Sequence, residues 1–527
     1  MSTTDSTVRR SPGGGARRRR VFAVLAGLAA ASLVLSGCLY ALIPDTGARP
    51  SSSLAPDTDG VPAELLPFYE QELTWSSCGE GFDCTTVTAP LDWANPDTGE
   101  IELSVIRHRA TGGDVIGSLL TNPGGPGASG VALVRDSVEF AVGDALLPRY
   151  DVIGFDPRGV GESTAVTCLD DAAMDAYLFD LVPGARGSAE WNDALLQGHQ
   201  AFADACDANS GGILAYITTD QSARDMDLLR GVLGDKKLNY LGYSYGTFLG
   251  ATYAKLFPER VGRLVLDGAI DPSVSGLDVN VTQGIGFESA LRAYMADCLT
   301  TSDCPFRGTV DEAMADLGAL LASVAQRPLE AQDGRMLGAD ALLQAVITAL
   351  YTKDNWPYLT QALSDALQGD PEVAWILVDY YYDRVDGVYQ DNSSEAFRAY
   401  NCMDYPVDTD EADLAAAQAR LAAEAPTVAP YWFGPDSCSV WPYPPTGVRE
   451  PIAADGAAPI LVVGTTNDPA TPYEWSVALA EQLSSGVLIT RVGEGHTGFN
   501  KGNACVDDAV VSYLLDGTVP ESDIRCG

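Results

Sequence analysis

Leu238-Asn239-Tyr240-Leu241-Gly242-Tyr243-Ser244-Tyr245-Gly246 reads as a short apolar strand running into Gly-x-Ser-x-Gly and then a helix to about Phe257. A serine on so tight a strand-to-helix turn sits in a strained backbone conformation that tolerates only small neighbours, and its hydroxyl is presented at the edge of a sheet. The five-residue pattern is common by itself; the strand before it and the helix after it give it meaning.

A serine hydroxyl is a poor nucleophile at neutral pH and needs a general base, itself oriented by a carboxylate. The chain has three histidines, His108, His199 and His496. Folds with a serine elbow take their partners in the order Ser, then Asp or Glu, then His, and only His496 lies after Ser244. It stands in a glycine-flanked loop, Gly493-Glu494-Gly495-His496-Thr497-Gly498, after the last apolar run. Asp468, in Thr466-Asn467-Asp468-Pro469, directly follows an apolar run and is the expected acid, with Thr471 placed to orient its turn. Asp267, one strand earlier, is the alternative. The tetrahedral oxyanion needs backbone N–H donors, which are assigned to Gly125 in Asn122-Pro123-Gly124-Gly125-Pro126-Gly127 and to Tyr245 after the nucleophile. A phosphate-binding use of that glycine loop fails because the Lys-Ser/Thr ending is missing and prolines remove donors.

Eight short apolar runs surround these motifs: Thr85 to Ala89, Ile101 to His108, Gly117 to Thr121, Tyr150 to Phe155, Leu238 to Tyr243, Arg263 to Asp267, Ile460 to Gly464 and Val487 to Val492. Helical periodicity separates the later runs, over Asp220 to Leu233, Tyr245 to Phe257, Pro472 to Leu483 and Ala504 to Leu515. The pattern predicts an α/β fold with a mostly parallel, eight-stranded sheet and an antiparallel start. Residues 66–270 form the first part of this core and 452–527 the second, carrying the acid and the histidine. The block 271–451 is Ala- and Leu-rich and reads as an inserted helical cap, and a smaller helical excursion covers roughly Leu169 to Thr218.

At 527 residues and 20% charged, the chain is ordinary globular material. The net charge of −40 repels phosphate backbones, which excludes nucleic acid as a partner. Arg9, Arg10 and Arg17 to Arg20 precede an apolar run from Val21 and then Leu35-Ser36-Gly37-Cys38, so residues 1–37 read as an export signal ending in a lipobox, with Cys38 as the lipidated first residue. The alternative is an uncleaved N-terminal membrane helix, since Val21 to Ile43 carries no charge. Residues 38–65 read as a flexible tether. Ten further cysteines in an exported chain imply disulfides: Cys78 with Cys84 and Cys298 with Cys304 by short spacing, and more loosely Cys168 with Cys206, Cys402 with Cys438 and Cys505 with Cys526. Neither Cys-x-x-Cys pairs nor clustered histidines are present, so no metal and no cofactor is expected.

Pro123-Gly-Gly-Pro-Gly127, Asp156-Pro157-Arg158-Gly159-Val160-Gly161-Glu162-Ser163 and Gly-Tyr-Ser244-Tyr-Gly together resemble the proline-iminopeptidase branch of the α/β-hydrolases, with Pro123 where that branch usually begins its first motif with His. With Gly286-Phe287-Glu288, Cys298, Cys304-Pro305, Asn401-Cys402-Met403-Asp404 and the Asp468-Pro-Ala-Thr-Pro to Gly-His496-Thr run, the chain from Trp75 to Cys526 more closely resembles exported bacterial tripeptidyl aminopeptidases and their lipoprotein relatives. The resemblance implies a serine peptidase that takes short peptides, typically tripeptides, from the free N-termini of peptides or proteins through an acyl-enzyme, and the N-terminal signal implies attachment to the membrane by a lipid or a helix. The resemblance also implies a cap carboxylate that binds the substrate ammonium: Glu288 by position, with Asp404 and Glu162 as alternatives. Two other readings share the sequence, a carboxylesterase with the same triad and an inactive surface-binding protein.

Overall fold

The computed structural model describes residues 55–408 and 410–527. The expected strands pair into one sheet: β1 (Ser76–Gly79), β2 (Phe82–Pro90), β3 (Glu100–His108), β4 (Gly117–Asn122), β5 (Tyr150–Phe155), β6 (Leu238–Tyr243), β7 (Val261–Asp267), β8 (Ile460–Asn467), β9 (Gly486–Glu494) and β10 (Ile524–Cys526). The spatial order is β1-β2-β3-β5-β4-β6-β7-β8-β9-β10, antiparallel as far as the β3–β5 pair and parallel beyond it.

The sheet therefore has ten strands, not eight. The additional two are its edges, too short and polar to announce themselves, and each is fastened by a disulfide: Cys78–Cys84 joins β1 to β2, and Cys505–Cys526 joins β10 to the last helix. Cys168–Cys206, Cys298–Cys304 and Cys402–Cys438 also form, so all five expected pairs are present.

Strand alternation divides the core in two. Tyr240, Leu264, Leu266, Ile460 and Val462 face one layer, with α4 (Thr219–Val232), α5 (Tyr245–Leu256) and α13 (Tyr473–Gln482). Leu241, Val265, Leu461 and Val463 face the other, with α1 (Gly130–Val142) and α14 (Ala504–Asp516). Burial on both faces is why these parallel strands read as continuous apolar runs.

Before α4 the chain makes α2 (Asp171–Phe179) and α3 (Ala189–Asn209). Between β7 and β8 it builds a third core from α6 (Gly276–Cys298), α7 (Val310–Gln326), α8 (Ala339–Leu350), α9 (Trp356–Leu367), α10 (Glu372–Tyr381) and α12 (Glu411–Glu424). The helix α11 (Ser393–Asp404) instead packs Ala396, Ala399, Tyr400 and Met403 into the core beside α4 and α5. Local chemistry sets the ends of these helices: Thr309 and Glu312 form a reciprocal capping box at the start of α7.

The tether expected over 38–65 is not free at its C-terminal end. Asp57 N–H donates to Gly231 O at 2.8 Å, its carboxylate meets Arg230 at 2.6 Å, and Asp59 O accepts from Arg260 at 3.0 Å. Buried Arg230 shares Asp227 with Arg260, so Asp57 supplies the second negative charge for two cations. The export signal, the Cys38 lipidation site and the apolar run from Val21 lie outside the described residues. Among the described residues no helix is long and apolar enough to cross a membrane.

The Asp156–Ser163 motif is a structural clasp. Arg158 is fully buried and binds Asp225 of α4 with both ends of its guanidinium at 2.8 and 2.7 Å, while Asp225 also accepts from Trp93 Nε1 at 2.8 Å. Asp156 accepts from Ser129 Oγ and Val131 N–H at the start of α1 and from Glu162 N–H. Removing one member of such a buried pair strands the other charge. Arg158→Ala is expected to lower unfolding free energy by about 3–5 kcal/mol, read from urea denaturation.

Candidate active site

Ser244 lies between β6 and α5 with φ 54° and ψ −122°, a positive-φ conformation that a non-glycine residue adopts only under constraint. Its N–H donates to Asp267 O of the neighbouring strand at 2.9 Å. The flanking glycines are required sterically: a Cβ on Gly242 would come within 2.5 Å of Gly246 O, and one on Gly246 within 2.9 Å of Asn122 Oδ1.

Asp468 follows β8 and is buried, with five donors directed at its carboxylate. Oδ1 accepts from Ala470 and Thr471 N–H at 3.0 and 2.9 Å, Oδ2 from Thr497 N–H and Thr471 Oγ at 3.0 and 3.1 Å, and His496 Nδ1 lies 2.9 Å from both oxygens. A carboxylate at this distance favours the tautomer that carries its proton on Nδ1. Nε2 is buried and has no hydrogen-bond partner among the described residues. No hydrogen bond joins it to Ser244 Oγ in this structure. The two residues instead converge on one point: Ser244 is bonded to Asp267 O, and a Cβ on the next residue, Gly268, would stand 3.2 Å from His496 Cε1.

The alternative acid, Asp267, makes no bond to His496. Its carboxylate accepts from Gly498 N–H at 2.8 Å and Phe499 N–H at 2.8 Å, holding the loop that carries the histidine. Full burial pushes its carboxyl up to about 7, against the lowering effect of those two amides.

The glycine loop lies on the elbow. A Cβ on Gly124 would approach Tyr243 O at 2.5 Å and Tyr245 N at 3.0 Å, so only glycine permits this approach. Gly124 N–H is engaged by Asn122 Oδ1 at 3.0 Å and Pro123 and Pro126 have none, which leaves Gly125 as the next amide. Tyr245 is the first residue of α5, so its N–H has no intrahelical acceptor.

The cap completes the site in a way the sequence does not announce. His496 N–H donates to Tyr351 O at 2.8 Å, and the Tyr351 ring stands edge-on to the imidazole with centroids 5.4 Å apart. A cleft of about 980 Å³ opens between core and cap, lined by Pro123, Tyr243 and His496 on one side and Tyr351, Tyr380 and Tyr381 on the other. Tyr351 lies in an Ala- and Leu-rich stretch, and nothing local marks it as facing a histidine 145 positions away.

The three carboxylates expected at the substrate ammonium are engaged elsewhere. Glu288 accepts from Thr427 N–H at 3.0 Å, Thr427 Oγ at 2.9 Å and Val428 N–H at 3.2 Å, so it ties α6 to the segment after α12. Asp404 accepts from Thr219 N–H at 3.0 Å and Thr219 Oγ at 2.6 Å, and burial pushes its carboxyl up to about 6. Glu162 is on the surface, paired with Arg135 at 3.0 Å. None of the three lines the cleft that holds His496. Two of them are buried acids whose hydrogen bonds must be met, a demand that position in the chain alone cannot distinguish from ligand binding. His108 packs against Phe82, and His199 Nδ1 lies 3.1 Å from Tyr177 Oη; burial lowers the pKa of both.

Comparison with known proteins agrees with this architecture. A family model described as TAP-like protein matches residues 425–526. Over 520 residues the chain is 35% identical to the serine protease Hip1 of Mycobacterium tuberculosis (strain ATCC 25618 / H37Rv), covering 96% of this chain and 98% of that one. It is 39% identical over 511 residues to carboxylesterase B of the same strain, covering 94% and 96%. It is 32% identical over 475 residues to the tripeptidyl aminopeptidase of Streptomyces lividans, covering 86% of each. The protein is thus a serine hydrolase with the α/β-hydrolase fold. Within that class it belongs to the TAP-like family.

Two measurements separate the acids. Asp468→Asn, which removes the charge that fixes the imidazole, is expected to lower kcat by about 10⁴-fold, against a much smaller loss for Asp267→Asn, in steady-state assays. Between pH 3.8 and about 7 the folded chain holds a proton on Asp267 that the unfolded chain has released, so this group makes stability fall as pH rises through that window. Asp267→Asn is expected to flatten the decline in unfolding free energy between pH 5 and pH 8.

Proposed function

We propose that this chain is an exported serine peptidase that releases short peptides, tripeptides in the main, from free N-termini through an acyl-enzyme on Ser244. Ser244 Oγ attacks the scissile carbonyl while His496 Nε2 takes its proton, and Asp468 stabilises the imidazolium. The N–H groups of Gly125 and Tyr245 hold the oxyanion. His496 then protonates the leaving amine, and a water molecule, deprotonated by the same nitrogen, hydrolyses the ester.

The observation that carries this reading is the Asp468–His496 pair at 2.9 Å, with Nε2 unpartnered beneath a cap that binds the histidine backbone through Tyr351. A roof over the site limits how far a chain can enter, which suits cleavage near an end. The relative named tripeptidyl aminopeptidase supports the size of the product. Since Glu288, Asp404 and Glu162 are engaged elsewhere and Glu494 accepts from Asn467 Nδ2, ammonium recognition falls to the remaining acid that lines the cleft, Asp354. Five disulfides support export to an oxidising compartment, with Cys38 or the N-terminal apolar run as the membrane attachment.

The relative named carboxylesterase B favours a second reading, ester hydrolysis by the same triad without amine recognition. Comparing a tripeptidyl amide, its N-acetylated form and a short acyl ester decides between them. The peptidase reading predicts turnover of the free-amine peptide at least about 100-fold above the acetylated one. Equal turnover of the two, with fast ester cleavage, would establish the esterase. Ser244→Ala is expected to abolish labelling by a fluorophosphonate and leave the circular-dichroism spectrum unchanged.

A further inference from the structure

The chain carries 72 acidic against 32 basic side chains, yet two cations with no carboxylate partner among the described residues line the cleft that holds His496. Arg491, on β9, donates from one terminal nitrogen to Glu494 O at 2.9 Å and pairs with no carboxylate among the described residues. Lys501, five positions beyond His496, rests its Nζ 4.0 Å from the ring centroid of Phe140 and likewise has no carboxylate partner among the described residues. Both are only partly exposed. The third cation of the cleft, Lys353, is already engaged, 3.8 Å from Asp297 and over the ring of Trp356. Glu494 accepts from Asn467 Nδ2, and after burial the charges that act on Lys501 are those of Asp267, of Arg491 beside it and of the cleft acid Asp354.

A half-desolvated guanidinium with unused N–H donors, beside an ammonium on an aromatic face, is complementary to a planar anion. We infer that Arg491 and Lys501 form a carboxylate-binding subsite for the departing part of the substrate. The side follows from the chemistry: the histidine must hand its proton to the leaving amine, so the leaving group lies against His496, and Arg491 and Lys501 flank that residue on its own strand and loop. The carboxylate is either the free C-terminus of a short leaving fragment or an acidic side chain just after the cut. The inference rests on the peptidase reading for its substrate but not for its chemistry, since an ester with a charged leaving group meets the same cations.

The test compares three substrate pairs on the full-length enzyme: a pentapeptide with a free C-terminal carboxylate against its amide, an amidated pentapeptide with Glu against Gln after the scissile bond, and an acyl ester whose leaving alcohol bears a carboxylate against its carboxamide. The wild-type enzyme is expected to favour the charged member of at least one peptide pair about 10-fold or more in kcat/KM, less so as salt rises. Preference in the first pair identifies the C-terminus as the source, and preference in the second the side chain. Arg491→Gln and Lys501→Gln are each expected to bring that ratio towards 1, whatever their absolute rates. Ratios near 1 in all pairs for the wild-type enzyme would overturn the subsite while leaving the peptidase reading intact. Turnover of the esters alone would overturn the peptidase reading, and the ester pair would then support the subsite by charge preference or refute it by its absence.

Discussion

The main-chain carbonyl of Asp267 accepts the Ser244 N–H at 2.9 Å, while the carboxylate of the same residue accepts the amides of Gly498 and Phe499. One buried residue at the end of β7 thereby positions both the turn that bears Ser244 and the loop that bears His496. The next residue extends the arrangement, for Gly268 N–H donates to Val463 O on β8, the strand that leads to Asp468. The register follows from these pairings, with Tyr243 and Val463 both opposite Asp267. In a parallel sheet the strand ends come together at one edge, so residues separated by 224 positions in the chain become neighbours once β6, β7, β8 and β9 are in register.

The strain in the site is confined and supported. Ser244 adopts positive φ because the turn admits no larger neighbours, and the adjacent backbone is held by Tyr240 Oη on Gly246 O at 2.8 Å. The histidine is held from three sides: Asp468 at the imidazole, Asp267 through the following amides, and the cap through Tyr351 O. Attachment to the cap ties the roof of the cleft and the position of the imidazole together. A movement of α8 relative to the sheet would move His496 with it.

The sequence carried the fold well where the physics is local. Short apolar runs located eight of the ten strands, and the helices that follow Ser244 and Asp468 begin within a few residues of where their periodicity starts. The two strands it did not carry, β1 and β10, are four and three residues long, and tertiary pairing and disulfides stabilise them more than intrinsic propensity does. Scarcity made the base legible, because a chain with three histidines leaves one candidate after the serine. Glu288 was not legible in the same way: a buried acid capping Thr427 and Val428 and an acid waiting for an ammonium look alike in sequence. Tyr351, Arg491 and Lys501 acquire meaning only when the insertion folds back over the sheet, a long-range event with no local signature.

In the proposed function Ser244, driven by His496 and Asp468, carries a peptidyl group whose amino terminus is free. The direct measurement is rapid-quench mass spectrometry of the intact enzyme mixed with a tripeptidyl nitrophenyl ester that has an unblocked amine, followed by fragmentation of the modified peptide. The account predicts a transient mass gain of one tripeptidyl group on the fragment containing Ser244, with a much weaker gain from the N-acetylated ester. An adduct on another residue, or equal accumulation from the blocked and unblocked esters, would contradict it.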